Sequence, residues 1–283
     1  MKKYLILVVT IIVSIFLFPS CQKEGQYLPK KKITQIEHTN TYTDFLGIEH
    51  TSRDRQEWNW NGKLLNNIVC YDGQDNRTDV IFFHYDSKKR FIELSSNAGT
   101  FRFIYNGKDL EKIEHYLSGH LDIADEYFFT KEDKNVVEIK RIVYESSKKV
   151  EVNPLQFILP ENAVEAISQV PDTKGQIYTY KLVWTDGNLT DMTVYYDDYM
   201  RMTYAWKYDD KINPYKGLFS EMSNDISALY STNNVVEATC NSYFVTQATD
   251  VAKYQYVYDG KMPIQVEWES TLTMGHNTKI FTY

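Results

Sequence analysis

The sequence predicts an all-β protein: an antiparallel meander of repeated β-hairpins, rolled into a curled, twisted sheet or an open barrel. Three observations carry that expectation. Aromatic side chains make up 15% of the 283 residues, with 23 Tyr, 14 Phe and 5 Trp, and such residues suit a pleated, half-buried surface. Bulky residues alternate with polar ones and run into Asn-Gly or Asp-Gly turns. The unit also recurs: an aromatic precedes each turn at Trp60, Tyr85 and Tyr105, and again at Trp184, Tyr208 and Tyr258. Its step of roughly 20–25 residues is one hairpin plus its connection.

Residues 1–20 read MKKYLILVVTIIVSIFLFPS, with Lys2 and Lys3 ahead of an apolar run over residues 4–18. That run is short of the ~20 residues a spanning helix needs, and its flanks are those of a secretory signal. Cys21 follows directly. A cysteine after such a run and a small residue resembles the lipidation site of a bacterial lipoprotein, although Phe18 and Pro19 depart from the usual pattern. The resemblance implies that Cys21 becomes an acylated N-terminus; the alternative is a soluble exported protein cleaved near Ser20. Each buried CH₂ of an acyl chain adds ~0.8 kcal/mol of membrane affinity. Gln22 in place of Asp, together with CQKEG, resembles signals that send lipoproteins to the outer membrane, on its periplasmic side or at the cell surface. Residues 21–43 are polar, contain Lys30, Lys31 and Lys32, and read as a flexible tether.

The remaining residues, 44–283, are expected to form one hairpin-repeat domain. It divides into possible halves, 44–152 and 176–283, around a segment with Pro154, Pro160 and Pro171. The hairpins are clearest where alternation meets a turn. Phe101, Phe103 and Tyr105 run into Asn106-Gly107; Tyr178, Tyr180, Leu182 and Trp184 into Asp186-Gly187; Tyr254, Tyr256 and Tyr258 into Asp259-Gly260. Both residues of such pairs tolerate the positive φ of a type I′ turn. One hairpin is marginal alone, so the copies must pair to bury their aromatic face. Residues 217–230 place Leu218, Phe219, Met222, Ile226, Leu229 and Tyr230 at helical spacing, which predicts one short amphipathic helix packed on the sheet.

Residues 84–113 resemble two YD repeats of RHS-type surface proteins: Tyr85, Asp86 and Arg90 fit one unit, and Tyr105 and Gly107 the next. The layout is also similar to a group of uncharacterised Bacteroidetes lipoproteins. It shares their Gly187-Asn188-Leu189 hairpin, the segment from Tyr208 to Leu218, the strand at Asn233-Asn234-Val235, and the final hairpin from Tyr254 to Pro263. That resemblance implies fold and surface location but no activity.

Loss of Lys2 and Lys3 leaves 29 basic against 38 acidic side chains, a net charge of −9. This balance argues against nucleic acid and against electrostatic docking on anionic lipid. Lys30, Lys31 and Lys32 read as part of the solvated tether, with contact to head groups beside the anchor as the alternative. No phosphate-binding loop, dinucleotide fingerprint or nucleophile elbow is present, and no cofactor is expected. His115 and His120 lack the spacing of a zinc site. Asp72, Asp75 and Asp79 do not follow a calcium loop. Asp197-Asp198 and Asp209-Asp210 read as turn caps. Cys70 and Cys240 are buried thiols or, since export permits it, a disulfide. The candidate ligand-facing aromatics are Trp58, Trp60, Tyr195 and Tyr196. The expected function is a non-enzymatic, membrane-anchored envelope module that binds a glycan, a protein or an envelope component. The alternatives are a carrier of lipid or another apolar ligand in a groove of the sheet and, more remotely, a hydrolase.

Overall fold

Alternation of bulky and polar residues persists through sixteen strands, and their pairing leaves no edge. The computed structural model describes residues 26–43, 46–132, 135–144, 175–218, 231–243, 248–271 and 275–283. Its strands are β1 (Gln35–Thr43), β2 (Glu49–Asn61), β3 (Leu64–Tyr71), β4 (Arg77–Tyr85), β5 (Phe91–Ser95), β6 (Gly99–Asn106), β7 (Asp109–Leu117) and β8 (Asp125–Glu132), followed by β9 (Asn135–Val143), β10 (Ile177–Thr185), β11 (Asn188–Tyr196), β12 (Tyr199–Tyr208), β13 (Val235–Ser242), β14 (Ala248–Asp259), β15 (Met262–Ser270) and β16 (Gly275–Thr282). Each pairs antiparallel with its sequence neighbours, and β1 also pairs with β16. The sheet thus closes into a complete barrel, which removes every exposed edge.

The ladder runs unbroken from β9 to β10, with Ile139 opposite Tyr180, so one sheet spans both expected halves. No helix occurs among the described residues. The expected helix over 217–230 lies outside them apart from Gly217 and Leu218, as does most of the Pro-rich segment.

The expected tether is corrected at its C-terminal part. Residues 35–43 are β1, hydrogen-bonded on both sides, and Tyr27 and Ile33 are completely buried. Tyr27 packs against Trp58 and Trp60 with ring centroids 6.4 and 5.8 Å apart, and its hydroxyl donates to Pro214 O at 2.8 Å. The segment's three buried apolar residues, Tyr27, Ile33 and Ile36, decide its fate, because burying each gains about 2 kcal/mol. Its polar residues hide this in a periodicity reading.

Residues 26–33 and 209–218 lie across one end of the barrel, called here the near end, where the β2–β3, β4–β5, β6–β7, β10–β11 and β14–β15 turns lie. The aromatics that end these strands share one task, except Tyr258, whose hydroxyl donates to Asp209 Oδ2. Trp60 Nε1 donates to Ile33 O (2.7 Å), Tyr85 OH to Leu65 O (2.7 Å), Tyr105 OH to Phe91 O (2.8 Å) and Trp184 Nε1 to Val136 O (2.7 Å). Tyr208 OH donates to Leu189 O, and Tyr283 OH to Pro263 O at 2.8 Å. In each case a strand is stapled to the start of the strand before it. Register shifts at Asn59/Trp60, His84/Tyr85, Ile104/Tyr105, Val183/Trp184 and Lys207/Tyr208 mark β-bulges at five of these aromatics, and a sixth falls at Val257/Tyr258. A bulge bends its strand and re-aims the side chain.

The turns differ from the expected type I′ at two of the three quoted positions. Asp186 (φ 51°) and Gly187 (φ 76°) do form the centre of a two-residue loop. In the other two the register places Gly107-Lys108 and Gly260-Lys261 at the centre, with positive φ only at the glycine, the arrangement of a type II′ turn.

The wall has opposite polarity on its two faces. Ile68, Ile81, Phe83, Phe91, Leu94, Phe101, Phe103, Ile113, Ile139, Tyr180 and Leu182 point inward and are at most 5% exposed. Outward positions carry Arg55, Glu57, Arg102, Lys112, Glu114, Lys140, Lys181, Lys207, Glu237, Lys253, Glu267 and Glu269, many in ion pairs or stacked on outward tyrosines. A lipid-facing wall would lose ~2–4 kcal/mol for each Arg or Lys at mid-membrane depth. Exposed Phe82, Val183, Val257 and Ile280 interrupt these charges on the outer wall.

Candidate functional site

The inward face is graded along the barrel axis. Behind the stapling aromatics lies an apolar layer that includes Trp58, Ile68, Phe83, Phe103, Ile113, Trp206 and Phe281. Toward the opposite, far end, inward positions turn polar: His38, Asn40, Gln56, His115, Asp125, Arg141, Asp250 and Asn277.

The most buried of these groups is a three-strand cluster. His115 on β7 stands directly opposite Asp125 on β8, and Arg141 reaches Asp125 from β9. His115 Nδ1 lies 3.0 Å from Asp125 Oδ2. Arg141 Nε and Nη2 donate to Asp125 Oδ1 at 2.7 and 2.5 Å. All three are at most 4% exposed. Burial alone would raise the Asp125 pKa, but Arg141 and the His115 hydrogen bond more than offset it, so the carboxyl titrates below its ordinary range. Phe101 stacks on the imidazole at 4.3 Å, and the Tyr127 and Tyr178 rings lie 5.9 and 5.3 Å from the guanidinium. Gly99 makes room for the histidine, since a Cβ there would lie 3.2 Å from His115 Nε2 and 2.2 Å from Tyr116 O.

A second group forms where β1 meets β16. His38 Nδ1 is 3.0 Å from Asp54 Oδ2, His38 Nε2 is 3.1 Å from Asn277 Oδ1, and the ring stacks on Trp268 at 5.5 Å. Lys279 sits over the same indole at 5.2 Å. Two buried polar atoms of the inward face have no hydrogen-bond partner, Asn40 Oδ1 and Trp206 Nε1. Burial pushes the Cys240 thiol up to about 11 and the Tyr204 phenol well above its ordinary value. Among the described residues no group of His, Cys, Asp or Glu is placed to hold a metal ion.

The aromatics expected to face a ligand do not form a platform. Trp58 is 3% exposed, Tyr27 and Tyr215 pack on its ring, and its indole N–H donates to Gln56 Oε1 at 3.3 Å. Trp60 is a stapling residue of the near end. Tyr195 and Tyr196 are adjacent on β11 and therefore face opposite sides of the wall. Lys181 lies over the outward Tyr195 ring, whereas Tyr196 packs inward on Tyr178 at 5.4 Å. Cys70 on β3 and Cys240 on β13 stand six strands apart round the ring and are not bridged, too far for disulfide geometry without rebuilding the wall. Cys21 lies outside the described residues.

The acidic groups serve turns. Asp72 Oδ1 accepts from Gln74 N and Asn76 N, both at 2.9 Å. Asp75 pairs with Arg55, and Asp79 accepts from Val80 N and Asn97 N. Asp197 and Asp198, with φ of 44° and 67°, form the β11–β12 turn. Asp209 accepts from Lys211 N at 2.9 Å and from Tyr258 OH, while Asp210 pairs with Lys211. His120 is exposed in the β7–β8 loop, apart from the buried His115.

The residues that sequence reasoning missed are His38, Asp125, Arg141 and Trp206. The available signal was phase: each falls on the inward-facing parity of its strand, where an ionisable group needs a partner. No local motif marks them, because the barrel brings them together across strands.

No protein-family model and no curated protein matches the sequence. Solved structures do resemble it. One is a porin-like protein from Bacteroides uniformis, with 9% identity, covering 92% of this chain and 99% of the other at a TM-score of 0.53. A second, a porin-like protein from Bacteroides vulgatus, is 12% identical over 89% of this chain and 98% of its own, with a TM-score of 0.47. The first of these likenesses is one of fold.

Proposed function

We propose that this chain is a lipid-anchored, non-enzymatic module of the bacterial envelope that engages a protein partner through the far end of its barrel. One observation carries the reading: among the described residues, the three most exposed bulky apolar side chains, Leu121, Tyr199 and Leu46, all sit at turns opposite the end where the chain enters. Leu121 is 95% exposed, Tyr199 69%, Leu46 68% and Ile48 53%, and Met200 and Tyr144 on the same rim are exposed as well. Entry at residue 26 on the near end, a few residues after Cys21, would hold that near end toward the membrane and present the far end outward. These side chains ring the far rim on the β1–β2, β7–β8, β9–β10 and β11–β12 turns, and exposed apolar groups rimmed by polar ones are a common feature of interaction surfaces. The use of the acidic groups as turn caps supports a binding role over hydrolysis.

The test places a photo-crosslinking residue at Leu121, at Tyr199 and, as a control, at the outer-wall position Lys207 in cells that make the native protein. Adducts at the two far-end positions and not at Lys207 are expected. Equal labelling at all three positions, or none, contradicts the proposal. Radiolabelled acyl chain should enter the wild type and not Cys21→Ser.

A second reading is a carrier of lipid or another largely apolar ligand within the barrel, in which a carbonyl or head-group oxygen of the ligand would accept from the indole N–H of Trp206 on the inward face. Lipid found by mass spectrometry in protein purified without detergent would support it. Its consistent absence would discard it.

A further inference from the structure

The near end carries, along one arc of its rim, a charge opposite to that of the whole chain. Five neighbouring features of its rim, the entering segment and the turns β2–β3, β4–β5, β6–β7 and β14–β15, hold Lys30, Lys31, Lys32, Lys63, Lys88, Lys89, Arg90, Lys108 and Lys261. Against these nine stand four acids, Asp86, Asp109, Glu111 and Asp259, and two of the four are already paired, Asp86 with Arg90 and Asp259 with Lys31. The arc is thus about five charges positive in a chain whose formal net charge is −7. Lys30, Lys31, Lys63, Lys88, Lys89, Lys108 and Lys261 are all exposed. Among the described residues of the far end the balance reverses: Asp72, Asp75, Asp122, Asp197 and Asp198 dominate, with Arg53 and Arg77 the principal cations.

The position of this arc is fixed by where the chain enters. Gln26 Nε2 donates to Lys88 O at 2.6 Å, and Lys32 Nζ donates to Gly62 O with its ammonium 5.4 Å from the Trp60 ring centroid. Residue 26 therefore lies on the β4–β5 turn. The five residues back to Cys21 reach at most ~18 Å fully extended, so an acyl group on Cys21 would hold these lysines at head-group distance.

We propose that the lysine arc of the near end docks the barrel on an anionic phospholipid surface. This contact rests on the anchored orientation proposed above and adds a second, electrostatic attachment to it. Net charge, which argued against such docking at the level of composition, is the wrong quantity. Within a Debye length of ~8 Å the membrane feels the near rim and not the far one. A lipid chain combined with a basic patch is the pairing that turns reversible attachment into stable attachment.

The experiment uses the mature chain from residue 21 with Cys21→Ser, which retains every described element and has no acyl chain to bind through. Vesicles of equal parts phosphatidylglycerol and phosphatidylcholine are compared with pure phosphatidylcholine by flotation. Binding to the anionic vesicles alone, weakened by added salt, is expected. Lys88→Glu/Lys89→Glu should then lose about thirtyfold or more in affinity, at roughly fivefold for each cation removed. Arg53→Glu/Arg77→Glu changes the net charge equally at the far end and should lose much less. Binding to neither vesicle, equal binding to both, or equal losses in the two variants overturns the docking. Acylation at Cys21 is read separately by label incorporation, so failure of one idea leaves the other standing.

Discussion

Asp125→Asn removes the negative charge that Arg141 and His115 share while keeping the side chain's shape. Arg141 is 1% exposed and holds Asp125 through two nitrogens at 2.7 and 2.5 Å. Breaking a buried ion pair from one side costs ~3–5 kcal/mol, because the remaining charge stays desolvated. Two features place the expected loss at the lower end of that range, about 3 kcal/mol. The amide oxygen of Asn still accepts one hydrogen bond, and the Tyr127 and Tyr178 rings still face the guanidinium. The assay is urea unfolding at neutral pH, followed by intrinsic fluorescence, with the loss read as a lower midpoint at constant slope. The acid limb supplies a second readout. Since the folded pKa of Asp125 lies below its unfolded value, its contribution is complete above the ordinary carboxylate pKa of ~3.9. That contribution fades as pH falls through the folded value, so wild type and Asp125→Asn should converge in strong acid. The double change Asp125→Leu/Arg141→Met should recover much of the loss, as a buried pair replaced by apolar groups often does. A loss below ~1 kcal/mol for Asp125→Asn would refute the reasoning, since only water reaching the guanidinium allows a surface-like cost.

Two further changes test the wall and the staples. Tyr105→Phe keeps the ring and the Arg90 guanidinium 4.0 Å above it but deletes the hydroxyl that donates to Phe91 O, and should cost ~1 kcal/mol in the same unfolding assay. Trp58→Ala should cost ~3–5 kcal/mol and leave partner capture unchanged; loss of binding by a variant of unaltered stability would restore Trp58 as a contact residue.

The hairpins were legible because two local signals coincide in each, period-2 aromatics and a glycine turn. The stapling role was not, although its positions were. Trp60, Tyr85, Tyr105, Trp184 and Tyr208 all repeat for the sake of a hydrogen bond to the previous hairpin, and periodicity does not show where a hydroxyl points. Closure was invisible for a related reason. β1 reads as polar text, QIEHTNTYT, because its inward positions after Ile36 are His38, Asn40 and Tyr42, and the partners of His38 sit on β2, β15 and β16. The buried cluster follows the same logic. The β7–β8 connection sets His115 opposite Asp125, and loop lengths of that kind decide register without leaving a pattern in the strands. Trp58 misled because alternation tells which residues share a face and not which face is covered. Composition misled in the same manner on charge, since a net value averages two rims of opposite sign.

The central claim is a barrel that stands in water and meets the membrane only from outside, through its anchor and its near rim. The chain from residue 21 with Cys21→Ser, exported behind a cleavable signal and fractionated in high salt, tests it most directly. The account predicts a folded protein in the detergent-free soluble fraction, with β-sheet circular dichroism and a cooperative unfolding transition. Retention in the membrane pellet until detergent is added would contradict it, because a wall that carries Lys112, Lys140, Lys181, Lys207 and Lys253 outward would then be facing lipid.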